Sequence, residues 1–253
     1  SSADKGVTSF NSNGFTVKDT SAGDYEINGP NGGTYSGNGT YVSWCWKAGG
    51  LSTINNVGDI TSIVSANVAA GFSIVKYTGN GTAGATIGHG LSSAPELILL
   101  KNLDVSDNWA VYNSTSGATK YMNLNEAYAA GTASTIWNDT APTSTVFSVG
   151  TSTDVNGSGN ALIAYCFTSI TGVQKIGTYS GSNSNLQVTT GFQPRFLMIK
   201  NLDGSGRPWV MIDSLMTGYL EANSNAIEWD TISNYVTFNS TGFLLYGIGS
   251  SYM

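Results

Sequence analysis

The hydrophobic positions of this chain fall in short runs cut off by clusters of Gly, Asn and Ser at regular spacing. Runs of this kind predict β-strands. Residues 96–101, 195–200 and 161–167 are apolar on both faces, the pattern of central strands packed on two sides. Residues 145–149 and 236–238 have the pattern of half-buried strands. Only 62–70 and 123–130 carry enough helix formers to predict short helices.

The pattern recurs along the chain. Tyr77, Gly79, Pro95, Lys101, Asn102, Leu103 and Asp104 have counterparts in Tyr179, Gly181, Pro194, Lys200, Asn201, Leu202 and Asp203. Trp109-Ala110-Val111-Tyr112 matches Trp209-Val210-Met211-Ile212. Phe10-Asn11-Ser12-Asn13-Gly14-Phe15 is similar to Phe238-Asn239-Ser240-Thr241-Gly242-Phe243, and 40–46, ending in Trp44-Cys45-Trp46, is similar to 161–167, ending in Tyr165-Cys166-Phe167. The chain therefore divides into the C-terminal part of a repeat unit (1–50), a linker (51–70), a complete unit (71–168) and a second unit (172–253) that lacks its last, cysteine-bearing strand. The expected fold is all-β, with tandem antiparallel β-sandwich-like units, short loops and few helices. The partial units imply that the chain is cut from a longer polypeptide or that its terminal fragments complete each other.

Composition narrows the function. Charged residues make up 10% of the 253, against about 25% in an average soluble protein, so Ser, Thr, Asn and Gly supply the polar surface. Hydrophobic residues at 40% and aromatics at 11% are enough for a packed core and exclude a disordered chain. The 32 glycines against 5 prolines read as turns and bulges. Ten Lys and Arg against sixteen Asp and Glu, with no basic run, exclude nucleic acid as a partner. The longest apolar runs, 96–100 and 161–167, are far shorter than the roughly 18 to 20 residues of a membrane-spanning helix. The start, Ser1-Ser2-Ala3-Asp4-Lys5, has neither Met nor an apolar stretch and reads as a processed end or a fragment. Cys45 and Cys166 occupy equivalent positions in different units, so two buried free thiols are expected rather than a disulfide.

No catalytic or metal-binding set emerges, and no cofactor is implied. The single histidine, His89, is replaced in the second unit by Thr190 and is read as structural. Of the carboxylates Glu96, Asp104, Asp107, Glu126, Asp139 and Asp154, only Asp104 recurs, as Asp203 in an Asn-Leu-Asp turn. Asp154-Val155-Asn156-Gly157-Ser158-Gly159-Asn160 is similar to half a calcium loop but lacks the closing glutamate. Six Asn-x-Ser/Thr sequons, at Asn38, Asn80, Asn113, Asn138, Asn156 and Asn239, follow from composition. The remaining candidates are aromatics beside amides and carboxylates, the residue types that stack on and ring a sugar: Asp107, Asn108 and Trp109; Trp137, Asn138 and Asp139; and Trp229. The competing reading makes these tryptophans core anchors, which the recurrence of Trp109 as Trp209 favours.

The strings from Ala70 to Leu91, Ala94-Pro95, Asn108-Trp109, Asn156 to Asn160 and Ala164 to Phe167 resemble a repeat domain of tail-fibre-like and other structural proteins of marine bacteriophages, including cyanophages, over about residues 30–213. That resemblance implies a non-enzymatic virion protein exposed on the particle, as a tail fibre, appendage or capsid decoration that contributes to host attachment. It also implies a homo-oligomer, with a trimer as the common fibre arrangement, contacting other virion proteins. The family has no established active site to carry over. The alternative is a lectin-like module that recognises a host-surface glycan.

Overall fold

The computed structural model describes residues 6–18, 41–226, 228–229 and 235–247. The chain forms two compact units, Ser1–Trp46 and Lys47–Met253. In the first, β1 (Gly6–Asn11) and β2 (Gly14–Lys18) make an antiparallel hairpin closed by the Asn11 and Gly14 pair. Residues 41–49 form neither helix nor strand.

The second unit contains an eight-stranded antiparallel sheet. Its strands are β3 (Thr53–Asn55), β4 (Ser62–Asn67), β5 (Phe72–Thr78), β7 (Leu97–Asn102), β8 (Trp109–Asn113), β9 (Lys120–Asn123), β10 (Gly131–Thr132) and β12 (Ala161–Phe167), in the order β10-β9-β8-β7-β12-β5-β4-β3. Beside it, β6 (Ala85–Gly88) pairs with β11 (Val146–Val149), and two four-residue helices, α1 (Ser134–Trp137) and α2 (Thr153–Asn156), sit in the connections around β11. Downstream lie β13 (Leu186–Thr189), β14 (Phe196–Lys200), β15 (Trp209–Asp213), β16 (Leu220–Glu221), β17 (Val236–Asn239) and β18 (Gly242–Leu245). They form two three-stranded antiparallel sheets, β14-β15-β16 and β13-β18-β17. The fold is all-β.

Burial follows the two-residue period of strands. In β7, Ile98, Leu100 and Asn102 are buried. Ile98 and Leu100 join a first core shared with Ile87, Phe147, Val149, Trp137 and Val155. The alternate residues Leu97 and Leu99 pack against Val111, Met122 and Trp209 in a further core. β7 is thus apolar on both faces because each face meets a different layer. β14 repeats this: Leu197 and Ile199 join a core with Ile212, Val236 and Phe243, while Met198 joins the layer around Trp209. The Trp209 indole N–H donates to Asn123 O at 2.8 Å, tying β15 to the end of β9.

Some downstream strand pairings have registers similar to upstream ones. β7 meets β8 with Leu97 opposite Asn113 and Lys101 opposite Trp109; β14 meets β15 with Phe196 opposite Asp213 and Lys200 opposite Trp209. Phe147 faces Ile87 across β11 and β6, as Phe243 faces Val188 across β18 and β13. The local caps match as well. The Asn102 side chain accepts from Asp104 N and that of Asn201 from Asp203 N, both at 3.0 Å. Asn125 and Asn223 accept from the amides of Trp109 and Trp209 at 2.8 and 2.7 Å.

Four expectations are corrected or refined. The helix expected at 62–70 is strand β4 followed by a single 3-10 turn, Val68–Ala70. Ser62 and Val64 are buried while Ile63 is 47% exposed, so the period is two, and pairing with β3 and β5 overrides the helix formers. Gly71 closes the turn in the left-handed region, φ 63°, where a Cβ would stand 2.4 Å from Thr168 O. The helix expected at 123–130 is also absent, because its amides go elsewhere: Leu124 N to Trp109 O, and Ala130 N to Leu202 O. Both thiols are free, but only Cys166 is buried; Cys45 is exposed. The span 51–70, expected as a linker, carries β3 and β4.

Candidate functional site

Across the face of the large sheet that carries Leu97 and Leu99 runs a row of aromatic rings. Trp109 on β8 stacks on Tyr165 of β12 with centroids 6.3 Å apart and planes 19° apart. Tyr165 lies 6.5 Å from Phe72 of β5, with planes 2° apart. The register explains the alignment: Trp109 faces Lys101, Tyr165 faces Leu99, and Leu99 and Lys101 are two apart on β7, hence on one face. Trp109 and Tyr165 are half-buried and Phe72 is covered. Burial pushes the Tyr165 hydroxyl above its ordinary pKa.

Polar groups converge at the Trp109 end. Asn108 N donates to Asp154 Oδ1 at 3.1 Å, and Asn125 Nδ2 donates to Asn108 Oδ1 at 2.9 Å. Ser152 caps α2 and donates to the other oxygen of Asp154 at 3.2 Å. One carboxylate oxygen of Asp107 is enclosed and accepts no hydrogen bond among the described residues. A half-buried ring beside amides and an acid is chemistry suited to a sugar hydroxyl-and-face contact.

The other sequence candidates do not join this row. Trp137, at the end of α1, is 1% exposed and packs edge-on against Tyr112 at 5.7 Å, inside the core. Asn138 and Asp139 follow it in the left-handed region, φ 52° and 49°, and terminate the helix. Trp229 is 51% exposed and stacks on Tyr219 at 6.4 Å. The three tryptophans therefore occupy three separate environments. Asp230 lies outside the described residues.

Other chemistry-bearing groups are engaged in the fold. His89 is fully buried; its Nδ1 accepts from Leu91 N at 3.1 Å and its Nε2 meets Thr143 O at 3.2 Å. Burial holds its pKa below the ordinary value, against a smaller pull upward from Thr143. Burial pushes the Cys166 thiol up to about 12, opposed by the hydroxyl of Ser73 across the strands. Asp104 accepts from Ala161 N at 2.7 Å, and Glu96 from Ser169 N. Asn156, within the stretch similar to a calcium loop, is fully buried and bonded only to backbone: its oxygen accepts from Asn80 N and Gly81 N, and its amide donates to Thr82 O and Gly150 O. Among the described residues, no three His, Cys, Asp or Glu are grouped as a metal would require, and no helix is long and apolar enough to cross a membrane.

Sequence reasoning missed Tyr165 and Asn125 as neighbours of Trp109, and Phe72 as the neighbour of Tyr165. Their separation along the chain hides them, although a shared Asn, Asn125 after Trp109 and Asn223 after Trp209, was a findable signal. No curated protein and no solved structure matches the chain. A family model described as a domain of unknown function does match, over residues 1–250.

Proposed function

The chain belongs to that family, DUF7483, and on this premise we propose that it is a non-enzymatic structural protein exposed on the surface of a bacteriophage particle. It is built from tandem copies of one β unit and acts as a tail fibre, appendage or capsid decoration that presents the particle to its host. The observation that carries this reading is the match between β7-β8-β9 and β14-β15-β16 in strand order, register and Asn caps. Duplicated scaffolds of this kind extend a chain by stacking equivalent units. The resemblance to marine phage structural proteins supplies the setting, and the low-charge, amide-rich and hydroxyl-rich surface suits a lasting external appendage.

Whole particles carrying a label on this chain test the proposal by imaging. A few copies at the tail support attachment, and copies spread over the shell support decoration. Absence from the particle overturns it.

A lectin-like reading is favoured by one observation, the half-buried row of Trp109 and Tyr165 with Asn108, Asn125 and Asp154 at its end. On this reading Trp109→Ala abolishes saturable glycan binding while the fold persists. Trp137→Ala is no test of binding, because its ring belongs to the core.

A further inference from the structure

We propose that the cleft between the turn after β8 and residues 178–180 binds a neutral saccharide through its hydroxyl-bearing side chains. The inference goes beyond the structural reading and is independent of the Trp109 row, none of whose rings lines the cleft. The cleft has a volume of about 450 Å³ and is lined by Thr115, Ser116, Thr178, Tyr179, Ser180 and Leu202. Small-molecule sites run from about 300 to 1,000 Å³, and one water takes roughly 30 Å³ in the liquid. The space therefore suits a molecule of several rotatable hydroxyls and is larger than a bare ion needs.

The lining sets the ligand class. Five of the six residues carry a hydroxyl and none carries a charge. A hydroxyl both donates and accepts, which matches a ligand whose own polar groups are hydroxyls. An ion of either sign would give up its hydration for walls that offer no opposite charge. Burial pushes the Tyr179 hydroxyl up to about 12, so this group too stays neutral. Tyr179 and Leu202 add apolar surface, the part of such a site that covers the C–H face of a sugar ring.

One group in the lining has an unmet need. Ser116 Oγ is enclosed yet has no hydrogen-bond partner among the described residues, whereas enclosed hydroxyls are normally paired. A saccharide hydroxyl supplies that partner once Ser116 changes rotamer. The segments on which the lining stands are held in place. The Asn113 side chain accepts from Thr115 N at 3.0 Å and from Ser116 N at 3.3 Å, fixing the turn after β8. Tyr179 packs edge-on against Phe243 with centroids 6.3 Å apart, and Leu202 O accepts from Ala130 N at 2.9 Å. Lining residues anchored in this way need little further ordering when a ligand binds, which favours affinity.

The test is a titration of the full chain with maltose, cellobiose, lactose and diacetylchitobiose, followed by saturation-transfer NMR. At least one of them should bind saturably. Thr178→Trp, at an exposed position, narrows the cleft and should abolish that binding. Ser116→Ala should weaken it about tenfold, the size of one hydrogen bond. Ser180→Trp, also exposed, repeats the block should Thr178→Trp shift the melting transition. Trp109→Ala should leave the binding intact. Binding that is lost in Trp109→Ala but kept in Thr178→Trp and Ser116→Ala overturns the cleft as the site, and so does the absence of saturable binding to every one of these sugars. A disaccharide carrying a carboxylate that binds equally tightly overturns the neutral class. Particle imaging is independent of this result, so either reading can fall without the other.

Discussion

Asn156 concentrates four backbone hydrogen bonds in one fully buried amide. Truncation takes the side-chain partner from Asn80 N and Gly150 O, while Gly81 N keeps Asn156 O and Thr82 O keeps Ala85 N, so Asn156→Ala should cost about 3 kcal/mol, read from a urea denaturation midpoint. An unchanged midpoint would refute the role. His89 gives a pH dependence. Its folded-state pKa is depressed, so the unfolded chain takes up the proton first. Stability is then full above the unfolded value of 6.5 and declines as the pH falls below it. Denaturation midpoints of His89→Gln should be flatter than those of the native chain over about pH 7 to 5; equal slopes would show that another group is responsible. The two thiols should differ in reactivity: Cys45 labels in the native protein, whereas Cys166, buried and pushed up to about 12, labels only on unfolding. The sequence puts the cysteines in equivalent positions and led to the expectation that both are buried; the structure buries only Cys166, since exposure depends on what covers each segment.

Equivalent strands differ in what covers them. Trp209 is 4% exposed and bonded to Asn123 O, while its counterpart Trp109 is half-buried on a sheet face. Trp209→Ala should therefore cost about 3 to 5 kcal/mol, and Trp109→Ala clearly less. Amide exchange along β15 and β16 should accelerate in the first variant and stay near native in the second. Element existence was legible in the short apolar runs, and β7, β12 and β14 fall where those runs lie. The error at 62–70 shows the limit: Ile63-Val64 next to Ala66 reads as helix or strand by propensity, and only the neighbours β3 and β5 decide it.

At the scale of the molecule, every residue of the three cores lies between Ile60 and Leu245, inside the unit Lys47–Met253. A chain of residues 47–253 should fold with a near-ultraviolet circular dichroism signal of its own and keep the melting transition of the full protein. A collapse of the near-ultraviolet signal would show that 1–46 takes part in folding. What the sequence by itself determined is the all-β class, the turn chemistry of Asn102 and Asn201, and the recurrence of a β pattern, because two-residue periodicity, Gly and Asn punctuation and matched motifs are local properties. Tertiary structure alone decided that β12 inserts between β7 and β5, that Trp137 and His89 are interior, and that Trp109 stacks on Tyr165. Each of these depends on which distant segments meet, and strand pairing across dozens of residues leaves no mark in the local pattern of either partner.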